Sequence, residues 1–504
     1  MSIILVALVV APLLTAALCT FIGHIAAAAA TVISATGTLI GAVALVPAIG
    51  AGATPTVGLL RADALSVVFL LATCFLYAAT AVYAIGYLNT ERDGPGDEAV
   101  RLTYFVRHSR RFYAGFNIFA WSMVCAPLVN GLALLWIAVE ITTVVSALLV
   151  ALENTEGATE AAWKYVLIAS SGLGIGLLAT IFLYYAGSVV LGQSYDLAFD
   201  PLLAVAHRLP DTPVRLAFVL AVVGYGTKVG LFPVHTWLPD AHAEAPTPVS
   251  ALLSGSLLAV SFYAILRYFQ IARPALGPRF PELVLLVFGV ASLLLAALYL
   301  LEQRDIKRML AYSSVEHMGI LAIGVSFGAP VAATGVMLHV LAHAAAKGNA
   351  FMGAGVLARK YATKQLDRMA DGLRVLPWSA PLFVVAVMAL SGMPPFGLFR
   401  SEFLIVAGGF DDGRNGATAA LVVLVTVAFL GLTAATTRVV FAPRPLDAAA
   451  GPAVATLEPG EPSRLMVAPV VVGVAVLLML GLLPPHQLLD LLNRAGADLL
   501  GVSS

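Results

Sequence analysis

Three titratable residues recur at four-residue intervals within one apolar segment. His339, His343 and Lys347 lie in LHVLAHAAAKGNAF at positions i, i+4 and i+8. This spacing puts them on one face of a helix, with about 6 Å of rise per step. Such a row can relay protons when neighbouring groups bind them with similar affinity. The HxxxH pair could instead hold a metal ion, but no third cysteine or carboxylate follows at ligand spacing, so we expect no metal site.

Three more charged residues lie inside apolar segments. Glu140 lies in LLWIAVEITTVV, Lys228 in GTKVGLFPVHTW and Glu402 in SGMPPFGLFRSEF. A charge at the centre of a bilayer costs about 2.5–3.5 kcal/mol or more, so each of these residues needs a partner or a hydrated cavity. An ion path is the default interpretation. A protonated packing residue at Glu140 and a purely structural lysine–glutamate pair are the alternatives.

Other ionisable residues are secondary candidates for the same path. They lie in or beside apolar segments, and for Lys164 a position at a helix end with its amine at the interface is an equal alternative. The secondary candidates are Lys164, His235, Glu316, His317 and His339.

The composition explains why these charges stand out. Of 504 residues, 60% are hydrophobic and 11% charged, and 28 Lys+Arg balance 28 Asp+Glu. A soluble chain would have roughly a quarter of its residues charged. A nucleic-acid-binding surface would need an excess of basic residues. The composition therefore predicts an all-α polytopic membrane protein, embedded in a lipid bilayer and without a nucleic-acid partner.

The sequence contains few residues suited to holding a cofactor. Cys19, Cys74 and Cys125 all lie in apolar runs, with no CxxC pair among them. A thiolate cluster is therefore not expected. No Walker-type phosphate loop or dinucleotide-binding glycine pattern is present either. We expect no cofactor in this chain, and any redox centre must belong to partner subunits.

About fourteen apolar runs are long enough to cross a bilayer. Pro233 interrupts the seventh run and Pro394 with Pro395 the twelfth, each beside a charged residue. Interrupted helices at corresponding positions of two halves indicate inverted repeats. The expected divisions are an N-terminal three-helix segment (1–111), a first repeat (112–272), a second repeat (281–442) and a loop with the last span (443–504).

The loops differ in basic content. Those after the third, ninth, eleventh and thirteenth runs hold most of the loop arginines and lysines. By the positive-inside rule these loops are cytoplasmic. We therefore expect both termini on the outer face of the membrane.

One long segment resembles a known family. KVGLFPVHTWLPDAHAEAPTPVSALLSG, residues 228–255, resembles the signature of the proton-conducting antiporter-like subunits of respiratory complex I and Mrp-type antiporters. AAWKYVLI, RDIKRMLAYSS and SGMPPFGLFRSEF extend the resemblance over most of residues 100–440. SSVEHMGI and ALLSGSLLAVSFYAILRY are most similar to component F of hydrogenase-4 and related arms of group 4 membrane-bound [NiFe] hydrogenases.

The resemblance implies fourteen helices, two inverted five-helix repeats and a broken helix in each repeat. It also implies roles for individual residues. Glu140 and Lys228 would be the coupled pair of the first half-channel. His343 and Lys347 would form a central relay, and Glu402 would be the terminal site of the second half-channel.

The chain departs from the family at one position. Complex I members often have a lysine in the eighth span, where this chain reads LLAVSFYAIL around Ala259 and Val260. A connection between the halves would then rest on the eleventh span and water.

From the resemblance we expect a proton- or sodium-translocating subunit in the cytoplasmic membrane of a prokaryote. Its partners would be other membrane-arm subunits and a peripheral cytoplasmic redox arm containing a [NiFe] centre and iron–sulfur clusters, as in a membrane-bound hydrogenase or formate hydrogenlyase. The alternatives are a subunit of complex I, of an Mrp antiporter or of a bicarbonate-uptake complex, and a structural scaffold that does not pump.

Overall fold

A computed structural model describes residues 1–92, 98–441 and 457–502. The described chain is almost entirely helical, apart from a short antiparallel pair of strands, β1 (Thr56–Val57) and β2 (Leu60–Arg61). Part of the predicted loop in 443–504 lies outside these residues. The four divisions predicted from the sequence stay a prediction.

The N-terminal part of the chain contains long apolar helices. Leucine, valine and alanine dominate the first two, so their backbone groups are paired within the helix as a bilayer requires. The helices are α1 (Ser2–Cys19), α2 (His24–Gly50) and α3 (Ala64–Arg92).

The next group of helices contains the first interruption. Thr155 caps α6 by accepting a hydrogen bond from the backbone N–H of Ala158 at 3.1 Å, which satisfies a donor that the first turn leaves free. The helices are α4 (Glu98–Cys125), α5 (Leu132–Val150), α6 (Glu156–Leu191), α7 (Phe199–Val205), α8 (Asp211–Val229), α9 (Trp237–Glu244), α10 (Thr247–Leu252) and α11 (Leu258–Leu276).

A π-helical segment, Leu253–Leu257, joins α10 to α11. Its extra residue per turn keeps the helix continuous from Thr247 to Leu276, and the most apolar part of this helix is wholly buried. It therefore lies in the centre of the bundle.

The second group of helices also contains a capped helix and an interruption. Asp305 caps α13 by accepting from the N–H groups of Lys307 and Arg308 at 2.8 and 3.0 Å. The helices are α12 (Arg279–Leu300), α13 (Ile306–Ser326), α14 (Pro330–Tyr361), α15 (Gly372–Val375), α16 (Ser379–Leu390), α17 (Gly397–Asp411), α18 (Asn415–Phe441), α19 (Arg464–Leu482) and α20 (His486–Leu500). Short 3₁₀ turns occur at Ala151–Glu153, Ala206–Arg208 and Leu366–Arg368.

Both predicted proline interruptions are present. The Phe232–Pro233 and Pro394–Pro395 peptide bonds are cis, and they lie between α8 and α9 and between α16 and α17. The prolines themselves are exposed at the surface of the bundle, and each interruption divides an otherwise continuous helical segment. The inverted relation of the two groups stays a prediction.

Helix α14 is at the centre of the second group, where it packs against α3, α13, α16, α17, α19 and α20. In the first group, α6 and α8 form the closest pair. Lys228, His343 and Lys347 lie on faces that these contacts bury.

Within the described residues, nine helices are long and apolar enough to cross a membrane. The other predicted spans coincide with α4, α8–α9, α13, α14 and α16–α17, which are either broken into short pieces or contain several charged or polar residues. The chain is a polytopic membrane protein, while a count of fourteen spans stays a prediction.

Candidate functional site

Lys228 lies in the last turn of α8, immediately before the first interruption. Gly230 ends this helix with φ of +84°, and a Cβ there would overlap Leu238 Cδ1, so the position requires glycine. The Lys228 side chain is fully buried. Its Nζ donates hydrogen bonds to Thr143 Oγ1 at 2.6 Å and to the Tyr165 hydroxyl at 2.7 Å. Helices α5, α6 and α8 together hold the lysine.

Glu140 lies one turn before Thr143 on α5. Its Oε1 accepts a hydrogen bond from Ser170 Oγ at 3.0 Å, and its Oε2 is buried without a hydrogen-bond partner. No ion pair in the described chain joins Glu140 to Lys228, although the two charges are close enough to interact electrostatically. The structure thus brings the predicted pair to neighbouring positions without direct contact.

Two aromatic residues, Tyr165 and Trp237, enlarge the group of side chains around Lys228. The Tyr165 hydroxyl lies 2.8 Å from Ser146 Oγ, and its ring stacks on Trp237 with centroids 4.3 Å apart. Trp237 Nε1 donates to the Thr227 carbonyl at 2.7 Å. The indole is therefore fixed beside Lys228.

His242 is a buried histidine that the sequence analysis did not select. Its Nδ1 donates to the Leu238 carbonyl at 2.8 Å, and Nε2 is buried without a partner. Its ring lies 6.1 Å from Trp237 and 5.8 Å from Phe351 of α14, centroid to centroid. His242 therefore lies between the two groups of helices. Its place in the motif LPDAHAEAPT was the available signal.

Hydroxyl groups meet in the π-helical segment that precedes Ala259 and Val260 of α11. Ser254, in the π-helical segment, lies 2.7 Å from Ser314 of α13, Oγ to Oγ. The neighbouring Ser313 Oγ accepts a hydrogen bond from Lys347. Lys347 Nζ also donates to the Leu310 carbonyl at 2.9 Å. Hydroxyl groups thus link the buried centre of the bundle to the lysine of α14.

Three histidines form a cluster between α13 and α14. His317 Nδ1 lies 3.1 Å from His339 Nε2, and His339 Nδ1 lies 2.9 Å from Ser401 Oγ of α17. The ring of His343 is 5.1 Å from that of His317, and neither of its nitrogens has a hydrogen-bond partner. The structure therefore places the predicted stripe of α14 against His317.

Two carboxylates flank the histidines. Glu316 precedes His317 and is buried, with Oε2 unpartnered. Glu402, on α17 beyond the second interruption, has an unpartnered buried Oε1. It lines a cavity of about 350 Å³ with Ser391 and Thr426. Glu402 is thus at the end of the polar row, beside an open space.

Lys164 and His235 lie away from the buried row. Lys164 is half exposed and forms ion pairs with Glu160 at 2.6 Å and Asp240 at 3.4 Å. His235 lies within the first interruption, buried, with Nδ1 unpartnered. The structure places Lys164 in a surface ion cluster and His235 at the broken helix.

A larger cavity, of about 650 Å³, opens near the end of α14. Its lining includes Glu91, Glu153, Lys307, Arg359 and Lys364. Lys307 and Lys364 lie in the basic loops and helix ends that the sequence predicts to be cytoplasmic. The cavity is therefore lined by charged side chains near the end of α14.

A helical bundle with two interrupted helices and buried acidic, lysine and histidine side chains defines a class: a polytopic, antiporter-like membrane subunit. A family model for NADH:quinone oxidoreductase/Mrp antiporter transmembrane proteins matches residues 129–431. The chain belongs to this family, and the resemblance found in the sequence is confirmed.

Two curated relatives carry hydrogenase names. The hydrogenase-4 component F homolog of Methylacidiphilum infernorum is 36% identical over 355 residues, or 69% of this chain and 72% of that protein. Hydrogenase-4 component B of Escherichia coli is 30% identical over 373 residues, or 71% of this chain but only 52% of that protein. The chain is thus similar to both and spans about half of component B.

The fold agrees with a solved membrane complex. A chain of the Mrp complex from Dietzia sp. DQ12-45-1b superposes with a TM-score of 0.81 and 22% identity, covering 99% of this chain and 98% of that one. At this identity the likeness shows the fold alone.

Proposed function

We propose that this chain translocates protons across the membrane through a row of buried polar residues. The row begins at Glu140 and Lys228, crosses the hydroxyl groups of the central helices, and continues through Lys347 and His343 to Glu402. The observation that supports it most strongly is the full burial of Lys228, His343 and Lys347 on α8 and α14. Glu140 and Glu402, at the two ends of the row, are half-buried. Charged groups at membrane depth facing a bundle interior mark ion pathways by default.

The proposed mechanism is electrostatic. A charge approaching Lys228 changes its interaction with Glu140, because Coulomb interactions are strong where the effective dielectric constant is low. The change alters how firmly Lys228 holds its proton, and a proton then shifts along Lys347 and the histidines. The reciprocal effect follows from linkage: proton loss at Glu402 changes the interactions of Lys228.

A path of this kind needs water, and we propose that water reaches it through two cavities. The cavity beside Lys307 lies on the proposed cytoplasmic side. The cavity beside Glu402 lies where the row ends. The first cavity is lined by several charged side chains, whereas the second is largely apolar apart from Glu402, Ser391 and Thr426.

Glu140→Gln tests the proposal. It removes the charge while keeping the shape and the hydrogen bond to Ser170, so the complex should assemble but lose proton translocation in proteoliposomes. Glu302→Gln is the control, since Glu302 is exposed beyond the end of α12 and its replacement should leave acidification unchanged. Unaltered translocation by the Glu140→Gln complex would overturn the proposed role.

We further propose that partner subunits carry the redox chemistry, as in a membrane-bound [NiFe] hydrogenase or formate hydrogenlyase. The relatives named for hydrogenase-4 support this choice. All three cysteines of the chain are free and buried, in α1, α3 and α4, which fits a chain that leaves metal–sulfur centres to other subunits.

One assay on the purified complex separates the alternatives. Nickel would select a hydrogenase, whereas flavin with many iron–sulfur clusters would select complex I. Absence of both would point to an Mrp antiporter or a bicarbonate-uptake complex and would overturn the hydrogenase assignment.

A non-pumping scaffold is the second candidate. The apolar residues Ala259 and Val260 of α11, both buried, stand near the position of the family's lysine and favour it. Proteoliposomes that show catalysis without acidification or sodium uptake would select this alternative.

We place the protein in the cytoplasmic membrane of a prokaryote with both termini outside, because the basic loops alternate along the chain. Single cysteines introduced at Ser2 and Val502 should react with an impermeant maleimide in intact cells with a permeable outer layer. If both cysteines react with the maleimide only after the cells are lysed, the termini face the cytoplasm and the assigned orientation is wrong.

A further inference from the structure

Side chains from three helices converge beside the cavity at Glu402. One ligand atom from each of His317 (α13), His339 (α14) and Glu402 (α17) lies within 4.8 Å of the others. We propose that these residues bind a divalent transition-metal ion of the zinc type. The HxxxH spacing alone did not predict this site, because His317 and Glu402 come from other helices.

The donor set suits zinc. Two imidazoles and one carboxylate with an open fourth position form a common zinc-binding set, with bonds of about 2.0–2.2 Å. Tetrahedral ligands at that distance are about 3.3 Å apart. His317 Nδ1 and His339 Nε2 are 3.1 Å apart in a hydrogen bond, close to this spacing. A bound ion would take the place of the proton between them, which His317 can carry on its unpartnered Nε2 instead. Rotation of the Glu402 side chain would bring in its oxygen.

Ser401 prepares His339 to be a ligand. Ser401 Oγ donates its proton to the Leu398 carbonyl at 2.8 Å, so it accepts from His339 Nδ1–H. This bond leaves a lone pair on His339 Nε2, the atom that faces His317. Hydrogen bonds of this kind orient metal-binding histidines and raise their basicity.

Buried polar atoms without hydrogen-bond partners also support a metal site here. Glu402 Oε1 and both nitrogens of the neighbouring His343 are buried without partners. A buried polar group without a partner is costly, so the site would gain stability from an ion. Glu316 lies close enough to interact electrostatically with Glu402. The fourth position is open to His343 or to water from the cavity.

The site borders a cavity whose lining is largely apolar. Glu402 lines the cavity of about 350 Å³ together with Ser391 and Thr426. A bound ion would be coordinated by the lone pair of His339 Nε2 and by the carboxylate of Glu402. If the proposed function holds, zinc would then block the far end of the proton path, a consequence that rests on that function. Binding itself does not rest on it.

The test is zinc binding by the intact purified complex. The complex is stripped with a chelator, equilibrated with zinc chloride and measured by calorimetry and elemental analysis. The His486→Gln background removes an exposed surface histidine that pairs with Asp490 at 2.9 Å. In this background we expect each chain to bind one zinc ion tightly. X-ray absorption should show nitrogen and oxygen ligands around it.

Matched serine variants test the geometry. Ser401→Ala removes the bond that orients His339, and we expect roughly 10–100-fold weaker zinc binding. Ser391→Ala is the control, because Ser391 lines the same cavity but bonds to no histidine, and its affinity should be unchanged. Thermal melting of both proteins checks that each is folded.

His339→Gln and Glu402→Gln should each abolish the tight site. Tight zinc binding that survives both substitutions, or binding absent from the wild-type complex, would overturn the proposal. A complex that binds zinc but translocates no protons even when zinc is absent would contradict the proposed function. The metal site would still stand.

Discussion

At the scale of residues, the two lysines of the proposed path, Lys228 and Lys347, are held by hydroxyl and carbonyl oxygens. Lys228 donates to Thr143 and Tyr165, and Lys347 donates to Ser313 and a backbone carbonyl. Carboxylate partners would hold the lysine protons in place through strong ion pairs. Neutral oxygens solvate an ammonium group but also accommodate a neutral amine. The arrangement therefore suits lysines that exchange protons.

Tyr165→Phe should slow proton translocation about tenfold or more. The substitution removes the hydroxyl that accepts from Lys228 and contacts Ser146, and a hydrogen bond to a charged group contributes about 1.5–3 kcal/mol. Tenfold corresponds to about 1.4 kcal/mol. Acidification assays on reconstituted complexes measure the rate.

Tyr184→Phe is the matched control, because its exposed hydroxyl donates only to the Gln193 carbonyl. Equal rates for the two variants would show that the Tyr165 hydroxyl has no part in the path.

At the scale of elements, the position of Lys228 depends on how closely α8 approaches α6. Gly224 of α8 faces Gly172 and Gly176 of α6, and a Cβ at Gly224 would overlap the backbone nitrogen of Gly176. Small residues let helix backbones pack closely in membranes. This contact brings Lys228 within hydrogen-bonding distance of Tyr165, one helix away.

Gly224→Ala should push α6 and α8 apart, lower the melting temperature and reduce translocation. The added methyl group meets backbone, which cannot move aside as a flexible side chain can. Thermal melting of the purified protein and proteoliposome acidification are the measurements.

Gly174→Ala on α6 is the control, since nothing lies within 4 Å of the added Cβ. Alanine is a better helix former than glycine by about 1 kcal/mol, so this variant should be unchanged or more stable. A stable Gly224→Ala protein would contradict the close packing.

At the scale of the whole molecule, one buried ion cluster joins distant parts of the chain. Arg267 of α11 is almost fully buried and donates to Asp63, at the start of α3, at 2.7 Å. Asp63 also pairs with Arg61 at 2.5 Å. Gln270 contacts Arg267 at 2.8 Å and donates to the Asp498 carbonyl of α20 at 3.0 Å. The cluster fixes the N-terminal and C-terminal helices to the central one.

Arg267→Met should destabilise the protein by about 3–5 kcal/mol, because removing one member of a buried ion pair leaves the other charge uncompensated. Arg215→Met is the control: Arg215 is exposed and pairs with Asp211 at 3.7 Å, and such surface pairs contribute about 0.3–0.5 kcal/mol. Denaturant titration in detergent compares the two. Similar stabilities would contradict the structural role of the cluster.

Hydropathy and motif spacing were sufficient to predict the membrane class, the family and the two interrupted helices, because these depend on local composition. Apolar runs, proline positions and the segment after Lys228 are all contiguous in the chain. The stripe of His339, His343 and Lys347 was equally accessible, since the period of a helix is a local property.

Contacts between helices could not be predicted in this way. The sequence paired Glu140 with Lys228, but the structure inserts Thr143, Tyr165 and Ser170 around them. His242 was missed although it lies within the family motif. The serine pair at the centre was missed because no local pattern distinguishes a buried serine from an exposed one.

The sequence alone therefore establishes a membrane protein of the antiporter-like family and the faces of each helix that carry charge. The folded bundle establishes which faces meet. His317, His339 and Glu402 are separated by 22 and 63 residues along the chain, and they converge only because α13, α14 and α17 pack together. Helical periodicity orients side chains around one axis, whereas packing between helices sets the distances across which protons or metal ions are shared.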